Sequence, residues 1–113
     1  MIKKENRLKK RKQFNYLFKH GSHVSNEYIN LVFLKLKTKN FKIGYSISKK
    51  VGKAVVRNKV KRRLKECVLK LSDSIKKDYY IIISAKPTIT NIAFDTLYTK
   101  TLEVFKKANL LNE

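Results

Sequence analysis

Apolar residues in this chain recur with two periods, and the switches between them outline its elements. Phe14 and Phe18 stand four apart in a polar stretch and Gly21 follows, which predicts a short helix from about Arg11 to His20 ended by a left-handed glycine. Tyr28 to Lys37 (YINLVFLKLK) reads as a strand with a continuous apolar centre. In Phe41 to Ser48 the alternation is clean: Phe41, Ile43, Tyr45 and Ile47 on one face, Lys42, Gly44, Ser46 and Ser48 on the other. The short link Thr38-Lys39-Asn40 predicts that these two strands form an antiparallel hairpin. From about Ala54 to Leu71 the period becomes helical, with Val56, Val60, Leu64, Val68 and Leu71 as one stripe. Tyr79 to Ser84 (YYIIIS) is the pattern of a strand covered on both faces, and Pro87 closes it. Thr90 or Asn91 can cap a last helix that carries Phe94, Leu97, Thr101, Phe105 and Ala108 on one face. The predicted order is α-β-β-α-β-α, a small α+β sandwich.

A chain of 113 residues is expected to form a single domain, residues 1–113, with a modest core, and 42% hydrophobic content argues for a folded protein. Residues 1–12 are polar and basic apart from the start residue, Ile2 and Leu8, and are expected to be a flexible arm. The net charge of +20 changes the picture most. Such an excess repels itself in a compact state and calls for an anionic partner, with nucleic acid the leading candidate. No apolar run approaches the length of a membrane span, and no signal-peptide pattern opens the chain. Lone Cys67 excludes an internal disulfide and fits a reducing cytoplasm.

Side-chain catalysis finds little footing. The acids (Glu5, Glu27, Glu66, Asp73, Asp78, Asp95, Glu103, Glu113) are scattered, and His20 and His23 have no accompanying metal motif. Cys67 falls in the apolar stripe of the long helix, where a buried hydrophobe is expected rather than a nucleophile. Gly52-Lys53 lacks the earlier glycine and the Ser/Thr of a phosphate-binding loop.

Charge runs are ordinarily solvated faces, but such a face carries compensating acids at helical spacing. Here Lys49, Lys50, Lys53, Arg57, Lys59, Lys61, Arg62, Arg63, Lys65 and Lys70 have only Glu66 among them. A polyanion that neutralises them is the better account. Arg57 and Lys61 fall beside the apolar stripe with Asn58, Arg62 and Lys65 further round; Lys59, Arg63 and Lys70 fall on the opposite flank. Phe14 and Phe18 are equally open to a core role or to stacking single-stranded RNA. The polar face of Lys42, Gly44, Ser46 and Ser48 is either plain solvent-facing sheet or a floor on which an extended strand can lie.

The segment SISKKVGKAVVRNKVKRRLKE resembles the signature of the bacterial ribonuclease P protein component, approximately S-K-K-x-G-x-A-V-x-R-N-R-x-K-R. The match runs through Ser48, Lys49, Lys50, Gly52, Ala54, Val55, Arg57, Asn58, Lys59, Lys61 and Arg62; Lys59 stands where the family has arginine, keeping charge without the bidentate fork. RLKKRKQFNYLFKHG and DYYIIISAKP are similar to the same family, in the right order. The resemblance implies the small subunit of an endonuclease that removes the 5′ leader from precursor transfer RNA (tRNA), with an RNA subunit and its Mg²⁺ performing hydrolysis. It implies that Phe14, Phe18, Ser48, Arg57, Asn58 and Lys61 meet the leader. Lys49, Lys50, Lys53, Lys59, Arg62, Arg63 and Lys65 would face the catalytic RNA. No membrane and no obligate protein partner are expected. It also implies a left-handed β-α-β crossover around the basic helix, against the usual right-handed rule. A ribosomal protein that binds ribosomal RNA is the alternative with the same charge and size.

Overall fold

The computed structural model describes residues 6–112. Seven main elements follow the chain: α1 (Arg11–His20), β1 (Ser22–Ser25), β2 (Ile29–Lys35), β3 (Lys42–Ser46), α2 (Ala54–Leu71), β4 (Tyr79–Ala85) and α3 (Phe94–Lys107). The four strands make one mixed sheet in the order β1-β2-β4-β3. The fold is α+β, as the periodicity predicts, with one strand more.

The predicted hairpin is corrected. β2 pairs antiparallel with β1 on one side and β4 on the other, so both its edges are filled and β3 cannot join it. β3 pairs instead with β4, in parallel, through α2. The antiparallel hairpin is β1–β2, with Ser25 opposite Asn30. Its first strand, SHVS, is too short and polar to announce itself. The continuous apolar run of β2 is the trace of its interior position.

β4 takes the centre because its alternation serves two cores. Ile81 and Ile83 face a large cluster with Leu31, Ile43, Val60, Leu64, Val68, Leu97 and Phe105, built under α2 and α3. Ile82 faces a smaller one with Val32, Leu17 and Leu8, built under α1. Each fully buried side chain of this size contributes about 1.5–3 kcal/mol.

Pairing also sets the hand of the crossover. The Lys86 and Leu36 amides donate to the Tyr28 and Asp78 carbonyls, at 2.9 and 3.0 Å, so the even-numbered β4 residues point their backbone groups towards β2. Their side chains point to the α1 face, as Ile82 shows. For L-residues this puts β2 to the right of an upward β4 seen from α1, and β3 to its left. With α2 on the far face, the β3–α2–β4 connection is left-handed.

Three local expectations are revised. Gly21 is extended, with φ −77°, not left-handed. Its glycine is a matter of space, since a Cβ would lie 2.7 Å from the Leu17 carbonyl oxygen and 2.9 Å from Val32 Cγ1. α3 starts after Ala93, while Thr90 donates to the Pro87 carbonyl at 3.3 Å and Asn91 turns left-handed at φ 67°. The segment expected to be a flexible arm is pinned from Asn6 onward. Asn6 Nδ2 donates to the Phe41 carbonyl at 2.8 Å, the Leu8 amide to the Ile43 carbonyl at 2.9 Å, and Leu8 is buried. The unpaired edge of β3 and the apolar Leu8 side chain hold it there. Residues 1–5 of that arm lie outside the described residues.

Gly21→Ala should destabilise the protein by about 1–3 kcal/mol, because the obstructing atoms include backbone. A urea melt measures this; an unchanged midpoint would show that the α1–β1 junction has room to spare.

Candidate nucleic-acid interface

Four segments converge at the outer edge of β3 around a cavity of about 570 Å³. Ile43, Gly44 and Tyr45 form its floor, Arg7, Leu8 and Lys9 one rim, and Phe14 of α1 an end. α2 supplies the opposite wall with Lys61, Arg62, Lys65, Glu66 and Leu69. Gly44 is required here, since a Cβ would overlap the Phe14 ring. That ring crosses the strand and is half-buried against the smaller core.

Five cations line this cavity and Glu66 is the one acid among its lining residues. Lys65 feels the imbalance. Partial burial, then the charges of Lys61 and Arg7, lower its pKa below the usual lysine value. Its ammonium lies 5.9 Å from the centre of the Tyr45 ring. Tyr45 in turn is pushed up from the ordinary tyrosine range, mainly by burial, and its hydroxyl has no hydrogen-bond partner within the described protein. An apolar, aromatic-floored hollow ringed by cations suits a group that is flat and apolar in one part and anionic in another, as a nucleotide is.

On the α1 face of the sheet, register aligns Ser25, Asn30, Ser84 and Ser46 across all four strands, beside the row of Val32, Ile82 and Gly44. All four polar residues are half-buried. The face that alternation left ambiguous therefore joins a strip of small polar side chains.

The structure brings Phe14, Lys61, Arg62 and Lys65 together and distributes the other expected site residues around them. Phe18, one turn beyond Phe14, is 41% exposed and lies outside the cavity lining. Ser48, Lys49, Lys50 and Lys53 are exposed in the connection from β3 to α2, and Asn58 and Lys59 on the first turns of α2. Arg57 is half-buried, with its Nε enclosed and lacking a hydrogen-bond partner within the described protein. Arg62 and Lys65 share the wall with Lys61, so the two groups of RNA contacts that the resemblance implies meet along one side of α2. Arg63 is placed elsewhere. Its guanidinium donates to the Ile92 carbonyl at 2.9 Å and lies 6.0 Å from the Phe94 ring centre, clamping the start of α3. Val56, expected in the buried stripe, is 37% exposed, while Cys67 is fully buried with its thiol pushed up to about 11, mainly by burial.

Sequence reasoning did not single out Arg7, Lys9, Tyr45 and Leu69, which line the cavity. The one available signal was Leu8, an isolated apolar residue able to anchor the arm. Among the described residues no group of three or more His, Cys, Asp or Glu could hold a metal ion. No described helix is long and apolar enough to cross a membrane.

Comparison with known proteins finds relatives over almost the whole chain. A model of the family described as Ribonuclease P matches residues 2–109. A ribonuclease P protein component of Clostridium botulinum (strain Langeland) is 34% identical over 110 residues, covering 96% of this chain and 99% of that one. One from Bacillus mycoides is 33% identical over 110 residues, covering 96% of each. Among solved structures, the RNase P protein of Staphylococcus aureus superposes with a TM-score of 0.88 at 30% identity, covering 95% of this chain and 98% of that one. The RNase P protein of Thermotoga maritima gives 0.83 at 30% identity, covering 89% and 96%. The chain belongs to the ribonuclease P protein family.

Proposed function

We propose that this chain is the protein subunit of a ribonucleoprotein endonuclease that removes the 5′ leader from precursor tRNA in the cytoplasm. The observation that carries this reading, given the family, is the cavity at the β3 edge. It joins an aromatic ring, Phe14, to the cations Arg7, Lys61 and Lys65 with little acid to neutralise them. A phosphate entering there counters the burial, and after it the Lys61 and Arg7 charges, that depress Lys65, and so favours its ammonium form.

In this reading the protein positions RNA and the RNA subunit, with its Mg²⁺, carries the hydrolysis. The leader lies across the cleft, its phosphates near Arg57, Lys61 and Lys65 and its bases against Phe14 and Phe18, with Ser48 and Asn58 at the margin. The exposed cations Lys49, Lys50, Lys53 and Lys59, together with Arg62, face the catalytic RNA. Holding the leader converts binding energy into placement of the scissile bond. Added positive charge lowers phosphate repulsion, so Mg²⁺ binds to the RNA at lower concentration. Arg63, committed to Ile92 and Phe94, contributes by fixing α3 against α2.

The deciding experiment mixes the purified protein with a bacterial ribonuclease P RNA and a leader-bearing precursor at low Mg²⁺. Faster cleavage supports the reading, and cleavage unchanged by the protein overturns it. Phe18→Ala should weaken precursor binding by the complex while leaving mature tRNA binding nearly intact; equal losses would make Phe18 a structural residue. Arg62→Ala should flatten the salt dependence of binding to the RNA subunit by roughly 0.7–0.9 of a log–log unit for each phosphate that the arginine neutralises. Arg63→Ala should instead lower stability with the slope nearly kept, and a slope change as large as that of Arg62→Ala would place Arg63 on RNA.

A further inference from the structure

α1 carries a second aromatic surface that the leader cleft does not use. Leu17 is the residue that fixes the helix to the sheet, at 1% exposure. At about 100° per residue, Phe14 and Phe18 lie close together on one side of that anchor, and Tyr16 and His20 lie close together on the other. Tyr16 is 51% exposed and its ring stacks on His20, with centroids 4.5 Å apart and planes tilted by 43°. Neither belongs to a core cluster or lines the cavity. The packing of the domain therefore does not account for them.

The surroundings say what such a surface fits. Lys12 and Lys19 are exposed one turn either side of Tyr16. Between Glu5 and Glu27 the sequence has no acid at all. An exposed, edge-supported aromatic ring flanked by cations is a stacking platform for a nucleobase with its phosphate on the lysines. It is continuous with the leader cleft, because a helix with its side chains is only about 10–12 Å across. A single strand leaving Phe18 reaches Tyr16 by crossing the crest of α1.

We infer that Tyr16, supported by His20, is a second base-stacking site for single-stranded RNA, taking a nucleotide of the leader farther from the cleavage site than those held at Phe18. This rests on the leader-binding reading above. It makes affinity depend on leader length, with a gain when the strand becomes long enough to cross α1.

The test uses the complete ribonucleoprotein, reconstituted with a bacterial ribonuclease P RNA, and precursors whose leaders lengthen one nucleotide at a time. Tyr16→Ala should match the unmodified protein on short leaders and bind long-leader precursors about 5- to 150-fold more weakly, the range for loss of one stacked base. Tyr16→Phe should retain the affinity, since it keeps the ring. The salt slope should stay the same in Tyr16→Ala, because the substitution leaves every phosphate-binding cation in place. Tyr16 is exposed and alanine favours helix, so the variant should fold as before.

Equal binding by Tyr16→Ala and the unmodified protein at every length overturns the inference. So does a loss shared equally by mature tRNA, which would place the tRNA body on this surface. If Phe18→Ala still weakens binding to short-leader precursors, the leader reading survives that failure. If Phe18→Ala is also silent, the leader reading fails with it.

Discussion

The central strand, β4, holds the molecule together by facing two ways. Ile81 and Ile83 seal the core under α2 and α3, while Ile82 seals the smaller one under α1. Because β4 and its neighbour β2 (Leu31 on one side, Val32 on the other) each face both cores, the position of α1 relative to α2 is fixed through the rigid centre of the sheet. The cleft depends on that relation: Phe14 comes from α1, Lys61 and Lys65 from α2, and Ile43 to Tyr45 from the strand paired beside β4. None of these groups is near the others in sequence. Interior packing tolerates little displacement, so the site inherits the precision of the core.

Charge works against this packing. A net +20 on a protein of radius of gyration 13.0 Å is a standing repulsion; at Lys65, whose pKa is lowered first by burial, the charges of Lys61 and Arg7 add to that lowering. Ion pairs relieve little of it. Those among the described residues are surface or half-exposed contacts such as Lys35 with Asp78 at 3.4 Å and Lys100 with Glu27 at 3.0 Å, none of them lining the cavity. Exposed pairs of this kind are worth about 0–1 kcal/mol. The compensation has to come from a bound polyanion. A surface that is unfavourable alone and favourable in the complex is suited to an assembly whose other part is RNA.

Elements that make their own local pattern were readable. α1 begins and ends at the residues its periodicity marks, and α2 spans the predicted Ala54 to Leu71. The doubly apolar run of β4 announced burial on both faces. Strand pairing was not readable in the same way. The link at 38–40 is short enough for a hairpin, and nothing local shows that β1 and β4 will already occupy both edges of β2. The anchoring of Leu8 on β3 and the clamp of Arg63 on Ile92 are likewise long-range events. They draw Arg63 to the start of α3 and bring Arg7 and Lys9 to the cavity beside Phe14.

Neighbouring residues alone establish the α+β class, most helix and strand limits, the demand for a polyanion and, through their order from Ser48 to Arg62, the family. Periodicity, charge density and a contiguous motif are all properties of a short window of chain. The left-handed path through α2 is implied by the family resemblance, but no local periodicity carries it; which strand lies beside which, and which cations share a wall with Phe14, are settled only in the folded molecule. These rest on contacts between distant segments competing for the same edges and faces. The winner of that competition depends on the whole packed sheet, which no window of the chain contains.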